Sequence, residues 1–133
     1  MAEQFNGVWW SLTLPTGWTG EFEEECTTFH GSPSLGIIRI SSARKGTGAA
    51  TDEDLEEFAE GRLRGPAAQR ISFSNFTGFS LEYIKEGTFW KEWWLKAGSL
   101  IVYITYNVEQ SKLHGERDVM EQIIRSLASI AVV

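Results

Sequence analysis

The chain is poor in cysteine, histidine, basic residues and long apolar runs, and each shortage closes off a class of function. Cys26 is the one cysteine among 133 residues, so no internal disulfide can form and a reducing, cytoplasmic setting is expected. No window approaches the ~20 apolar residues that cross a bilayer, and the apolar stretch Leu127–Val133 is too short to do so. The opening MAEQFNGVWW lacks the basic-then-apolar order of a signal peptide. Lys and Arg number 12 against 18 Asp and Glu, a net charge of -6, which argues against nucleic acid, whose phosphates need clustered cations. No linker, repeat or low-complexity tract divides the chain, and residues 1–133 are read as a single domain.

What is present is organised around Phe79–Asn107. Strand-like runs rich in Ile, Val, Thr and aromatics are broken at Glu86-Gly87 and at Ala97-Gly98-Ser99, the glycines supplying the positive φ of tight hairpin turns. The pattern predicts an antiparallel meander. Ahead of it, Val8–Leu14 reads as a strand with Trp10, Leu12 and Leu14 on one face and Pro15 ending it. Glu21–Phe29 reads as one acidic edge strand with Glu21, Glu23 and Glu25 aligned. Leu35–Ile40 reads as a strand covered on both faces, and residues 41–50 as a flexible loop.

Thr51 to Asp54 is a helix start, with Leu55, Phe58, Ala59 and Leu63 at helical spacing. Gly65-Pro66 stops that helix, and Ile71–Phe76 is a short strand. A second helix over residues 116–127 carries Val119, Met120, Ile123, Ile124 and Leu127 on one broad face. The fold expected is therefore α+β: an antiparallel sheet of about six or seven strands with helices packed on it.

The early aromatic strand ending in Leu14-Pro15-x-Gly17-Trp18, the acidic and Ile-rich strands, and the Asp54-Leu55-x-x-Phe58 helix form one set of signatures. Phe89-Trp90-Lys91-Glu92-Trp93, Tyr103-Ile104-Thr105-Tyr106-Asn107 and a last helix ending Arg125-Ser126-Leu127 form another. Together they resemble the superfamily typified by the photosystem protein PsbP and the Ran-binding Mog protein, in particular its small bacterial members. The resemblance covers nearly the whole chain. It implies an accessory or binding protein, and it transfers no functional residue.

Residues suited to chemistry do not converge. Cys26 and His30 on one strand would lie ~13 Å apart, far from the ~3 Å of a nucleophilic dyad, and His114 is remote in sequence. The three glutamates are spaced ~6.6 Å along a strand, too wide for one calcium shell. Lys45-Gly46-Thr47-Gly48 inverts the order of a phosphate loop and leads into acids at a helix start. No cofactor, metal, nucleic acid or membrane is expected, and no enzymatic activity. The notable set is on the middle meander strand, where Trp90, Glu92, Trp94 and Lys96 share one face. Because burying two charges is costly, that face is expected to reach solvent near Tyr103 as a binding patch, with Glu21, Glu23 and Glu25 as the second candidate surface. The function expected is protein interaction, including an immunity-type role against a basic target; the alternative is a small-ligand carrier with an aromatic cleft between sheet and helix.

Overall fold

The computed structural model describes residues 2–130. In chain order they form strands β1 (Glu3–Asn6), β2 (Trp10–Leu14), β3 (Thr19–Phe22), β4 (Thr27–His30) and β5 (Gly36–Arg44), then helix α1 (Asp52–Phe58). A 3-10 turn over Arg62–Arg64 leads to β6 (Gln69–Phe73), β7 (Phe76–Lys85), β8 (Thr88–Ala97) and β9 (Leu100–Glu109). A second 3-10 turn (Gln110–Gly115), helix α2 (Arg117–Arg125) and the two-residue β10 (Ala128–Ser129) follow. Seven strands pair antiparallel in the order β3-β4-β5-β9-β8-β7-β6, and β1-β2-β10 form a smaller sheet. The α+β class and the antiparallel meander are as the pattern predicts.

Turn chemistry fixes the long hairpins. Glu86 (φ 52) and Gly87 (φ 80) are both left-handed, the twist that matches two right-twisted strands. β8 then pairs β9 without interruption from Thr88↔Glu109 to Ala97↔Leu100. One face of the large sheet packs against α2 and β2. Phe29, Ile38, Ile40, Trp93, Leu95, Val102 and Ile104 meet Met120, Ile123 and Ile124 of α2 and Trp10, Leu12 and Leu14 of β2 in one core. Full burial of each such side chain stabilises by about 1.5–3 kcal/mol. The other face carries α1, whose Leu55 and Ala59 join Leu63 over Trp94 in a smaller core. Thr51 caps α1, accepting from the Asp54 backbone N–H at 3.1 Å while the Asp54 carboxylate accepts from the Thr51 N–H at 2.9 Å.

Several boundaries differ from the sequence reading. Glu21–Phe29 is a hairpin, with β3 ending at Phe22 and β4 beginning at Thr27. Glu23 and Glu25 therefore lie in the turn, and the three glutamates do not form a row on one strand. β3 does stand at the edge of the sheet. Residues 41–44, expected to be loop, extend β5 because β9 offers partners as far as Arg44↔Leu100. Ile71–Phe76 spans two strands, turning at Ser74 (φ 52). The first helix ends at Phe58, because Glu60 (φ 54) and Gly61 (φ 84) are both left-handed and terminate it as a C-terminal cap would. β5 is buried on one face only: Ile38 and Ile40 are inside, whereas Ile37 and Arg39 are half-buried.

Candidate functional surface

Register places the predicted aromatic set as alternation requires. On β8, Trp90, Glu92, Trp94 and Lys96 point to the α1 side of the sheet, and Trp94 pairs with Tyr103 of β9, their ring centroids 5.5 Å apart. The expected exposure follows in part: Trp90 and Lys96 are half-buried, and Trp94, though buried, borders a groove beside Tyr103. Trp94 is 1% exposed, sealed beneath α1. Trp90 lies beyond the helix and is half-buried, its ring parallel to that of its cross-strand neighbour Tyr83 at 6.3 Å. Lys96 reaches Asp52 at 3.5 Å.

Glu92 is 2% exposed, which contradicts the expectation that its charge keeps the face open. The compensation comes from the 3-10 turn after α1. Arg62 grips the carboxylate with both arms of its guanidinium, Nη1 donating to Oε1 at 2.6 Å and Nη2 donating to Oε2. The Tyr103 hydroxyl also donates to Oε1. Arg62 further lies over the rings of Tyr83 (5.4 Å) and Trp94 (5.6 Å), a cation–π arrangement. The bidentate bond to Glu92 raises the Arg62 pKa further above its already high value. Burial first, and then the carboxylate acceptor, push the Tyr103 phenol well above its usual value. Both Glu92 oxygens are thus engaged and the guanidinium stays charged. The group works as a lock holding the turn to the sheet and offers no general acid or base.

What remains open lies beside the lock. Phe58, placed in the apolar stripe of the helix by its spacing, is 49% exposed, because the short helix buries Leu55, the following Ala59 turns inward, and Phe58 is left at the margin. Its ring tilts against Tyr103 at 5.5 Å. On one side is a groove of about 190 Å³ lined by Ser41, Ser42, Ala43, Phe58, Ile101 and Tyr103. On the other is a wider one of about 540 Å³ that includes Glu57, Glu60, Arg62 and Trp94. The outward residues of α1, Glu53, Glu56 and Glu57, are exposed acids.

The remaining candidates are dispersed. Glu23 accepts from the Thr28 hydroxyl at 2.9 Å and from the Cys26 thiol at 3.5 Å, closing the turn between β3 and β4. Glu21 and Glu25 are exposed. Beside this turn lies a groove of about 220 Å³ reaching Val8 and Phe22. His30 sits 3.5 Å from the Thr19 hydroxyl, and His114 is exposed in the second 3-10 turn. Lys45 bonds Asp54 at 2.9 Å, tying its loop to the start of α1. Among the described residues no three His, Cys, Asp or Glu side chains are grouped to hold a metal, and no helix is long and apolar enough to cross a membrane.

No protein-family model matches the sequence, and no curated protein matches it. Among solved structures, the chain is similar to a protein of Bacteroides thetaiotaomicron at a TM-score of 0.65 and 18% identity, over 92% of this chain. That likeness shows a shared fold, and the chain spans 46% of the Bacteroides protein's length. It is also matched to the cyanobacterial PsbP of Synechocystis sp. PCC 6803 at a TM-score of 0.49 and 9% identity, covering 97% of this chain and 92% of that one.

Proposed function

We propose that the protein is a non-catalytic binding module that contacts a basic protein partner through the Phe58–Tyr103 surface, within a PsbP/Mog-like architecture. The observation that carries the reading is Phe58, a half-exposed ring held against Tyr103 between two open grooves. Large aromatics at the centre of a contact, ringed by polar groups that exclude water, supply most of the energy of protein interfaces. The acids of α1 and the net charge of -6 favour a cationic partner and faster encounter with it. A small-ligand carrier is supported less well. The apolar groove of about 190 Å³ falls below the ~300–1,000 Å³ typical of pockets that enclose whole ligands and suits a single side chain, while the groove of about 540 Å³ that reaches that range is bordered by the charged Glu57, Glu60 and Arg62.

The test is fluorescence anisotropy with a labelled peptide of Lys and Gly carrying one internal Leu, against the same peptide with Glu in place of Lys. The basic peptide should bind more tightly and lose affinity as salt is raised. Phe58→Ala should weaken it by about tenfold or more, the loss expected of an interface hot spot. Equal binding of the two peptides, or no effect of Phe58→Ala, overturns the reading.

A further inference from the structure

Seven of the 12 Lys and Arg residues pair with carboxylates: Lys45, Arg62, Arg70, Lys91, Lys96, Lys112 and Arg117. Of the five without a carboxylate partner among the described residues, Arg44, Arg64, Lys85 and Arg125 are exposed to water, and Arg39 alone is half-buried. Arg39 stands in the middle of the large sheet, on the face that carries α1 but beyond the helix. Its cross-strand neighbours are Thr28 and Thr105. Its one hydrogen bond runs from Nη1 to the neutral Asn107 amide oxygen at 3.3 Å, near the long limit. Nε and Nη2 have no protein acceptor among the described residues. Along that row Glu21 and Glu92 are each two strands away, Glu92 is already taken by Arg62, and Glu23, whose carboxylate reaches the neighbouring Thr28 hydroxyl, forms no ion pair with Arg39. A partly desolvated guanidinium without an anion is unfavourable, and its planar fork matches a carboxylate.

The residues next along these strands give the anion its context. Two positions on from Arg39 is Ser41, paired with Tyr103, and two further is Ala43, paired with Ile101. These four, with Ser42 and Phe58, line the apolar groove. The groove therefore begins one same-face position, ~6.6 Å of backbone, along the strand from Arg39, on the side opposite Asn107, which faces Ile37; the guanidinium comes beside the groove when it leaves Asn107. With Arg39 turned from Asn107 toward Ser41, one Leu or Phe spans from a carboxylate on the guanidinium to a side chain in the groove.

We infer that the surface recognises the C-terminal residue of a protein partner, an apolar side chain entering the groove while its free carboxylate exchanges for Asn107 on Arg39. This rests on the binding reading above and specifies which part of the partner is read. Capture of a C-terminal carboxylate is a recurring mode of peptide recognition, and here a guanidinium fork supplies the donors in place of backbone N–H groups.

The experiment compares a labelled hexapeptide of Lys and Gly ending in Leu as the free acid with the same peptide as the carboxamide, on the intact chain. The acid should bind about tenfold more tightly than the amide, the effect of a charge-assisted bond. Arg39→Gln should bring the two within about twofold by weakening only the acid, whereas Phe58→Ala should weaken both. The acid-to-amide comparison on the unaltered protein needs no variant, so a folding defect in Arg39→Gln cannot hide the answer. Equal binding of acid and amide overturns the inference, as does an equal loss for both in Arg39→Gln, or dependence on Trp90 in place of Phe58. If the internal-Leu peptide binds through Phe58 while acid and amide match, the contact surface stands and the chain-end inference alone falls. If no peptide binds but octanoate does so through Arg39, the site belongs to a small amphiphilic carboxylate and both readings fall.

Discussion

Arg62→Ala removes the counter-charge of a carboxylate that is 2% exposed. Breaking a fully buried pair by deleting one partner costs about 3–5 kcal/mol, because the remaining charge is uncompensated. Here Arg62 itself is 41% exposed, so water replacing the truncated side chain can reach Glu92, and Tyr103 continues to donate to it. The expected loss is therefore about 2–3 kcal/mol. At ~2.1 cal/mol/K of unfolding entropy per residue, a chain of 133 residues loses about 3–4 °C of Tm per kcal/mol, which predicts a fall of about 7–11 °C. Urea denaturation gives the free energy and differential scanning calorimetry the Tm. The combined Arg62→Ala/Glu92→Gln variant should be more stable than Arg62→Ala alone, since the orphaned charge is gone and an amide oxygen still accepts from Tyr103. A Tm for Arg62→Ala within a degree of the parent, or a double variant less stable than the single, refutes the lock.

All three tyrosines, Tyr83, Tyr103 and Tyr106, are held above their usual phenol value, burial being the largest cause in each case. Folded pKa values above the unfolded ones mean stability that is intact below about pH 10 and lost as pH rises toward the folded values. Tyrosinate absorbance should appear cooperatively with loss of circular dichroism; smooth titration of three phenols near pH 10 in a folded chain would contradict this. Gly78 faces the β8 backbone so closely that an added Cβ would lie 2.0 Å from the Trp94 carbonyl oxygen, and Gly78→Ala should cost about 1–3 kcal/mol in urea denaturation. Ile123 is fully buried, so Ile123→Asp should lose at least about 3 kcal/mol or fail to fold; parental stability would show that α2 is not packed as described.

Periodicity in the sequence carried the fold further than the surface. Alternation puts Trp10, Leu12 and Leu14 on one face, which the structure buries, and helical spacing puts Met120, Ile123 and Ile124 on another, because each pattern depends only on neighbours a few residues away. The hairpin between β3 and β4 was missed for the opposite reason. Its turn, Glu23 to Cys26, contains no Gly, Pro or Asn to mark it, and a Glu–Thr–Cys hydrogen-bond set found only in three dimensions closes it. Helix α1 stops early through a left-handed glutamate, Glu60, a residue type that ordinarily continues a helix. Arg39 is not legible as a site in the sequence because the Ile-rich run around it signals burial on both faces. That its own face is left half-open follows from the shortness of α1 and its landing over β8.

Glu92 marks where local sequence pattern stops determining exposure. A charge on a sheet face implies solvent there if nothing distant neutralises it. The neutralising group is Arg62, 30 residues earlier in the chain, and it reaches the sheet only because Glu60 and Gly61 turn the backbone back after α1. That turn seals Trp94 and leaves Phe58 as the exposed ring. The same accounting applied to Arg39 gives the opposite answer. Its row offers hydroxyls and an amide, Glu23 stops at the neighbouring Thr28 hydroxyl, and no described carboxylate forms an ion pair with it. A buried charge and a half-buried charge on one face thus differ in where the counter-ion comes from. For Glu92 the chain itself supplies it; for Arg39 we infer a carboxylate from outside the chain.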